Sequence, residues 1–384
     1  MRKLKMGMIG GGKNAFIGAV HRIAANMDGL IELHCGAFSS NPELSLESGK
    51  ELGLAEDKCY ESYVQMIETE VKLPPNERMD FVSIVTPNHA HFAPAMLALE
   101  NGFHVVLDKP MTLTLAEAKL LEQKVKETGL YLCLTHTYAG YPMVKQARSM
   151  VADNDFGAIR KIIVEYPQGW LSTQFETGGN KQAVWRTDPS KSGISGCMGD
   201  IGTHAAHLAE YISGLKITQL CADINTVVAN RRLDDDGNVL LKFDNGANGI
   251  LVASQIAAGE ENSLKIKVYG EKGGLEWHQM EPNTLTVKWL DSPTQLYRTG
   301  NGYLSQIAAF NTRIPSGHPE GYLEAFGNLY KNFALTLQSK LEGKEPTASM
   351  LDFPTAKDGV RGMAFIENVI ASGKSTQKWT EFKI

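Results

Sequence analysis

The chain has 384 residues, of which 43% are hydrophobic and 21% charged, and its formal net charge is -5. This length exceeds what one hydrophobic core usually spans and favours two domains, while the interspersed charges exclude a basic face for nucleic acid. Five widely spaced cysteines without a Cys-x-x-Cys pair argue against a disulfide framework or a zinc ribbon. We therefore expect a cytoplasmic protein with a small-molecule partner, and neither a signal peptide nor a membrane span.

Up to about residue 152, short apolar runs alternate with amphipathic segments. Buried strands are predicted at 4–9, 31–38, 81–85, 104–107 and 130–135. One intervening helix begins at Thr114, whose hydroxyl forms a capping box with Glu117, and ends near Gly129. This alternation predicts a Rossmann domain with a doubly wound parallel sheet over residues 1–152.

Beyond residue 157 the pattern changes to longer alternating strands, predicted at 159–166, 217–228, 239–243, 249–257 and 264–269. The turns Asp244-Asn245-Gly246 and 270–273 predict hairpins between neighbouring runs. These features indicate a second domain, residues 153–384, built on an antiparallel sheet. Helices are predicted at 322–341 and 356–372, and we expect the second to pack back on the first domain.

A glycine-rich loop follows the first strand directly and precedes a helix. Gly18 comes six residues after Gly12, whereas the usual fingerprint has its third glycine three residues after the second. Helix-terminal N–H groups at this point bind a dinucleotide pyrophosphate, and a plain tight turn is the alternative. The predicted cofactor residues of the loop are Gly10, Gly12, Lys13, Asn14, Phe16 and Ile17.

The second strand ends in residues that leave the cofactor preference open. Ser39 and Ser40, which we predict to contact the cofactor, offer neither a carboxylate for the ribose diol nor an arginine for a 2′-phosphate. Lys13 is the cation that the glycine loop offers near this point. NAD is therefore expected ahead of NADP.

Two strands, counted as the fourth and fifth, end in polar residues at the edge where open α/β sheets bind ligands. Thr86 and Asn88 follow one of them and are expected to line the nicotinamide. His91 either joins them or caps the next helix. Asp108 and Lys109 follow the other strand, and the Lys109 ammonium can stabilise the developing alkoxide of an alcohol under oxidation. The alternative for Lys109 is a solvated strand end.

A carboxylate stands four residues before an imidazole where a helix is predicted to begin, at Asp200 and His204. Four residues advance an α-helix by roughly 400°, so the two side chains share one face. A histidine with a pKa near 6.5 can take a proton from a substrate hydroxyl and return it. The pair could instead join His207 and Glu210 around a metal. We predict no metal, because hydride transfer does not require one.

Trp185 and Arg186 precede this stretch in a polar loop. An aromatic plane and a planar donor can wall a pocket and clamp a hydroxyl or an anion, and simple packing is the alternative. We predict that both residues contact the cofactor and that Arg186 also contacts substrate.

Four motifs together resemble the Gfo/Idh/MocA family, in order and over nearly the whole chain. They are the glycine loop, Thr86-Pro87-Asn88-x-x-His91, Asp108-Lys109-Pro110 and Gly196-x-x-x-Asp200-Ile201-Gly202-x-His204. The resemblance implies a C-terminal α/β domain whose open, mainly antiparallel sheet mediates homodimers or homotetramers. It also implies NAD(P)-dependent oxidation or reduction of sugars, inositols and related polyols.

By the same resemblance, Lys109, Asp200 and His204 take the catalytic positions, and Asp108 and Lys109 are also expected to contact the cofactor. Asp108 replaces the usual glutamate. His318 is a pocket candidate because its segment is similar to one that some members bring near the substrate. The complete set of predicted substrate residues is Lys109, Tyr138, Tyr141, Arg186, Asp200, His204 and His318.

The resemblance, together with these residues, implies three possible functions. The first is reversible hydride transfer between nicotinamide and a ring carbinol, with His204 as acid and base. The second is a redox-neutral, NAD-dependent glycosidase, in which Arg186 and Lys181 clamp an anionic sugar. The third is a non-catalytic sugar or dinucleotide sensor, against which the presence of both Lys109 and His204 argues.

Overall fold

The computed structural model describes residues 2–13 and 15–384, except for the side chain of Lys181. Asn14, one of the predicted cofactor residues, lies outside the described residues. The chain divides into two compact units. The first comprises Met1–Thr137 and Tyr322–Val360, and the second comprises Tyr138–Gly321 and Arg361–Ile384.

The strands in chain order are β1 Leu4–Gly10, β2 Ile31–Ala37, β3 Phe81–Val85, β4 His104–Leu107, β5 Leu132–Leu134, β6 Lys161–Pro167, β7 Ile217–Asn225, β8 Asp236–Phe243, β9 Asn248–Ser254, β10 Lys265–Tyr269, β11 Gly273–His278, β12 Thr284–Trp289, β13 Gln295–Arg298 and β14 Thr380–Glu381. The helices are α1 Phe16–Asn26, α2 Pro42–Glu51, α3 Tyr63–Glu70, α4 Phe92–Glu100, α5 Leu115–Thr128, α6 Pro142–Ala152, α7 Lys181–Arg186, α8 Pro189–Ser192, α9 Thr203–Ser213, α10 Gln306–Phe310, α11 Tyr322–Leu341 and α12 Ala356–Gly373.

The first unit contains a parallel sheet with the strand order β2-β1-β3-β4-β5. Its central strands are apolar on both faces, and every residue of β3 is buried, as expected where helices cover both sides of a sheet. The core cluster joins these strands to α1 and α11. The predicted doubly wound sheet is confirmed, although the strands counted as fourth and fifth are the third and fourth in the chain.

The predicted limits of α5 are also confirmed. Thr114 Oγ1 accepts a hydrogen bond from the Glu117 N–H at 3.3 Å, and the Glu117 carboxylate accepts the Thr114 N–H at 3.1 Å. Gly129 ends the helix with φ 67°, a conformation that favours glycine.

The second unit is built on a sheet with the order β13-β12-β11-β10-β6-β9-β8-β7-β14. Neighbouring strands are antiparallel except for β6 and β9, which are parallel. Both predicted hairpins are present, joining β8 to β9 and β10 to β11. Helices α6 and α9 pack on the sheet, and β6 alternates buried with partly buried residues accordingly.

Strands β12 to β14 were not predicted from the sequence, and β11 was implied only by the hairpin turn at 270–273, without a predicted range. Strand β11 begins with two glycines, and β13 is a largely exposed edge strand without an apolar alternation. Strand β14 has only two residues and exists because it pairs with β7. Strands β11, β13 and β14 therefore depend on their neighbours in the sheet more than on their own composition.

The helices at the unit boundaries show how the chain is divided. Helix α6 belongs to the second unit, where it packs on α9 and α10. Helix α12 starts in the first unit and continues in the second. None of the helices in the described part of the chain combines the length and apolar character that crossing a membrane requires.

Candidate active site

The glycine loop of the first unit packs directly on the helix that follows it. Gly10 and Gly11 have φ values of 80° and 71°, which favour glycine. A Cβ atom on Gly18 would lie 2.3 Å from the Gly11 Cα and 2.5 Å from its carbonyl oxygen. Despite the lengthened spacing, Gly18 therefore allows the close approach that the third glycine of the fingerprint provides. This bare, tightly packed loop fits a dinucleotide pyrophosphate, since side chains there would block the backbone N–H groups.

The other predicted residues of this loop lie at the surface of the first unit. Phe16 is 69% exposed at the start of α1, and Ile17 is partly buried against the core. The Lys13 ammonium contacts the Glu47 and Glu51 carboxylates, each at 2.8 Å. A cavity of about 530 Å³ opens beside the loop and includes Phe16 and Glu51 in its lining.

His91 connects two loops at the carboxyl edge of the parallel sheet. Its ring nitrogens lie 2.8 Å from the Thr86 carbonyl oxygen and 2.8 Å from the Pro110 carbonyl oxygen. It occupies the N-cap position of α4 without a side-chain capping bond, so the helix-cap interpretation is wrong. Burial lowers the pKa of His91, although Asp108 and the two carbonyls oppose this. His91 therefore positions Thr86, and the neighbouring Asn88 is also buried.

Asp108 organises the segment that carries Lys109. One carboxylate oxygen of Asp108 accepts the Lys109 N–H at 2.9 Å and the Thr135 hydroxyl at 2.7 Å. The same oxygen lies 4.0 Å from Nε2 of His21, which is fully buried. Burial lowers the pKa of His21 to about 4, so this imidazole is neutral at pH 7. Lys109 itself is partly exposed and precedes a cis peptide bond to Pro110.

In the second unit, the segment with Asp200 and His204 differs from the expected α-helical start. Asp200 lies in a π-helical turn, Met198–Gly202, and His204 is the second residue of α9. A π turn holds more residues than an α turn, so four residues advance it by less than roughly 400°. The predicted α-helical start is therefore wrong at Asp200, whereas the prediction that Asp200 and His204 share one face stays a prediction. Wide turns of this kind are frequent at functional sites.

Asp234 holds the backbone at the start of this π-helical turn in place. Its carboxylate accepts the backbone N–H groups of Gly196 and Met198, each at 2.8 Å. A Cβ atom on Gly196 would lie 2.4 Å from the Asp234 carbonyl oxygen, which explains the glycine. Burial raises the pKa of Asp234, while these hydrogen bonds oppose the increase.

Arg186 and Gln255 hold the Asp200 carboxylate. Gln255 Nε2 donates to Oδ2 at 2.9 Å, and Arg186 Nε lies 3.4 Å from the same oxygen. The Arg186 guanidinium stacks 4.3 Å from the Trp185 ring and 6.0 Å from the Trp170 ring. Trp185 and Arg186 end the short helix α7, so the predicted loop is wrong there. The structure places Arg186 beside the predicted catalytic carboxylate, and the cofactor and substrate contacts of the two residues stay predictions.

His204 is 8% exposed and lies among aromatic side chains that carry hydroxyls. Its ring packs edge-on against Tyr138, with centroids 4.9 Å apart. The Tyr138 and Tyr166 hydroxyls are hydrogen-bonded to each other, and Asn262 Nδ2 donates to Tyr138 at 3.1 Å. Burial raises the pKa of Tyr138, so its hydroxyl keeps its proton at neutral pH. Tyr141 stacks on Tyr138 at 6.4 Å.

Several residues of this group were not identified from the sequence. Tyr166 lies in β6, and Asn262 precedes β10. Gln255 follows β9. In the sequence, each of these residues is a polar side chain at or near a strand end, and many other residues of this chain have the same feature. Only the order of the strands in the sheet brings these side chains together.

The residues of the metal alternative have other partners. Arg361 forms a two-pronged ion pair with the Glu210 carboxylate, and Lys216 contacts it at 3.1 Å. His207 stacks on Tyr211, with centroids 5.7 Å apart. Over the described residues, no group of three or more His, Cys, Asp or Glu side chains has the arrangement of a metal site. His318 is exposed, and its Nδ1 lies 3.3 Å from the Pro315 carbonyl oxygen.

The glycine loop and the parallel sheet define a Rossmann unit of the kind that binds dinucleotides. Residues 4–136 match the model of an oxidoreductase family with an NAD-binding Rossmann fold, and residues 144–276 match the GFO/IDH/MocA C-terminal domain. The chain belongs to the Gfo/Idh/MocA family.

Several similar proteins are named as dehydrogenases of sugars or inositols. An uncharacterized oxidoreductase of Bacillus subtilis (strain 168), YfiI, is 32% identical over 100% of this chain and 98% of its own length. A levoglucosan dehydrogenase of Pseudarthrobacter phenanthrenivorans is 26% identical over 75% of this chain and 76% of its own.

The fold is shared with a solved inositol dehydrogenase homolog of Azotobacter vinelandii. Its complex with NAD+ has a TM-score of 0.94 and 34% identity, covering 99% of this chain and 98% of that one. Its complex with NADH and myo-inositol has a TM-score of 0.91 and 33% identity, with the same coverage.

Proposed function

We propose that this protein transfers a hydride between nicotinamide and a ring carbinol of an uncharged sugar, inositol or related polyol. The observation that carries the proposal is the setting of His204, a buried imidazole beside the hydroxyl-bearing Tyr138 and in the same segment as Asp200. The names of the similar proteins support this substrate class, since they include levoglucosan and inositol dehydrogenases.

In the forward direction, the carbinol loses a hydride from carbon and a proton from oxygen. Bound NAD supplies the hydride acceptor. His204 accepts the hydroxyl proton as general base, and the Lys109 ammonium stabilises the alkoxide character that develops. In reverse, His204 returns the proton to the carbonyl oxygen. Because Asp108 holds the Lys109 backbone, the lysine starts from a fixed point at the strand end.

Asp200 and Arg186 are proposed to bind neighbouring hydroxyls of the ring. The Arg186 guanidinium and the Asp200 carboxylate carry opposite charges, with Nε and Oδ2 3.4 Å apart, so the pair presents little net charge to a ligand. This favours an uncharged polyol over the anionic sugar that the glycosidase alternative would clamp with Arg186. His318 and Tyr141 remain predicted substrate residues.

The assembly and location are also proposals. We infer a homodimer or homotetramer formed through the open sheet of the second unit, which analytical ultracentrifugation would test. The five cysteines are all unpaired thiols, as expected for a reducing, cytoplasmic compartment. The first unit is assigned to NAD and the second to substrate binding and oligomerisation.

A spectrophotometric screen tests the reaction. Polyols, including myo-inositol and levoglucosan, are incubated with NAD and with NADP, and aryl glycosides are tested in parallel. Formation of NADH with a polyol is expected. Aglycone release without net NADH would favour the redox-neutral glycosidase, and NAD binding without turnover across the panel would favour the sensor.

Two variants test the assigned roles. Lys109→Ala and His204→Ala are each expected to lower turnover at least about a hundredfold, because each removes a group that acts on the reacting hydroxyl. The control is Lys119→Ala, which removes an exposed lysine from α5. Circular dichroism and NADH binding check that the variants are folded. Near-normal turnover in either variant would contradict the assignment.

A further inference from the structure

The backbone of Gly12 and Lys13 lies against the end of β2. The Gly12 N–H donates to the Phe38 carbonyl oxygen at 3.3 Å, and the Lys13 N–H donates to Ser48 Oγ at 3.2 Å. A Cβ atom on Gly12 would lie 2.9 Å from the Phe38 oxygen. Phe38 directly follows β2, so the Lys13 side chain starts where Rossmann proteins recognise the adenosine ribose.

The residues that follow β2 supply no charge for this recognition. Ser39 and Ser40 are neutral, and Ser39 Oγ accepts the Asn41 N–H at 3.1 Å. The Asn41 side chain caps α2 by accepting the Leu44 N–H at 3.0 Å. The carboxylate that usually selects NAD is therefore missing from its usual position.

Two carboxylates of helix α2 lie beside the Lys13 side chain instead. Glu47 and Glu51 are four residues apart on one face of the helix, and each contacts the Lys13 ammonium at 2.8 Å. The three side chains are 45%, 50% and 51% exposed, so ligands can reach them. This group, called the Lys13 cluster below, has a formal charge of about -1 at pH 7.

The charge of the Lys13 cluster distinguishes the two cofactors. The 2′-phosphate of NADP carries a charge of about -2 and would meet two carboxylates and a lysine already paired with both. The ribose diol of NAD is uncharged, so the carboxylates do not repel it. We propose that Glu47 and Glu51 determine the preference for NAD over NADP, by repelling a 2′-phosphate and by keeping Lys13 from binding it.

The proposal predicts what happens without the carboxylates. In a Glu47→Gln/Glu51→Gln variant, Lys13 becomes a cation without a carboxylate partner in this cluster and can bind the 2′-phosphate. Because the groups are exposed, we expect a moderate effect that added salt weakens.

Isothermal titration with NADH and NADPH tests this without a substrate, so its result is independent of the proposed reaction. Wild-type protein is expected to bind NADH more tightly. In the double variant, the ratio of the Kd for NADPH to the Kd for NADH should fall by about tenfold or more, with the Kd for NADH nearly unchanged. The fall should be smaller at 0.5 M salt.

Two further variants make the test specific. Glu61→Gln/Glu68→Gln removes the same number of exposed carboxylates from the first unit outside the Lys13 cluster and should leave the ratio unchanged. Adding Lys13→Met to the Glu47/Glu51 double variant should abolish most of the gain in NADPH binding.

Three results would overturn the proposal. They are a wild-type protein that binds both cofactors equally, a double variant with the wild-type ratio, and a double variant that loses NADH binding. A full gain in NADPH affinity that persists without Lys13 would overturn the part assigned to the lysine.

Discussion

Replacing Gly18 by alanine tests whether the lengthened glycine loop binds NAD through its close packing on α1. The added Cβ atom would lie 2.3 Å from Gly11 Cα, 2.5 Å from its oxygen and 2.8 Å from its carbonyl carbon. All three are backbone atoms, so no side chain can rotate away. An ordinary contact begins near 3.4 Å, and the loop and the helix must therefore separate by about 1 Å.

Overpacking of this kind costs about 1–3 kcal/mol of folding free energy. A displacement of about 1 Å also misaligns the loop N–H groups that we predict to bind the pyrophosphate, and each hydrogen bond lost costs about 0.5–1.5 kcal/mol of binding. Loss of two such bonds costs about 1–3 kcal/mol and raises the Kd for NADH by about fivefold to more than a hundredfold.

The assay is isothermal titration with NADH, together with thermal unfolding. Gly302→Ala is the control, because a Cβ atom there meets nothing within 4 Å. We expect the Gly18→Ala variant to bind NADH at least about fivefold more weakly and to unfold at a lower temperature, while the control matches wild type. Wild-type affinity in Gly18→Ala would refute the reasoning about the loop.

Two predictions concern buried carboxylates. Burial acts to raise the pKa of Glu70, but the nearby His34 ring and hydrogen bonds from Lys58, the Met79 N–H and Tyr60 outweigh it and lower the pKa from 4.5 to about 2. The ionised Glu70 carboxylate stabilises the fold by about 3 kcal/mol above pH 4.5, and this stabilisation is lost as the pH falls towards 2. In urea unfolding, the Glu70→Gln variant should therefore be less stable than wild type at pH 6. Between pH 6 and pH 3 it should lose less stability than wild type does. An identical pH dependence would contradict this. The Asp234→Asn variant leaves one backbone N–H at the Asp200 turn without its acceptor and should lose about 1–3 kcal/mol of folding free energy in urea unfolding at pH 7. The control is Asp223→Asn, at an exposed residue, which should have little effect. Equal losses in the two variants would contradict the role of Asp234.

Local sequence determined much of the architecture, because hydrophobic period and turn chemistry act over a few residues. The alternating pattern before residue 152 predicted the parallel sheet, and both hairpin turns of the second unit were correct. The capping box of Thr114 and the C-terminal Gly129 set the ends of α5. These features need no information about distant parts of the chain.

Tertiary structure decided the features that depend on residues far apart in the chain. Asp234 and Gly196 meet across the fold to shape the turn that carries Asp200, and no local pattern distinguishes a π turn from an α-helical start. Gln255 reaches Asp200 because their elements pack together in the second unit. Likewise, Lys13 and Glu47 are more than thirty positions apart, and only the packing of α2 beside the glycine loop pairs their charges. The sequence alone identifies the chemical groups of the candidate site, but the side chains that contact and orient these groups are brought to them by long-range packing.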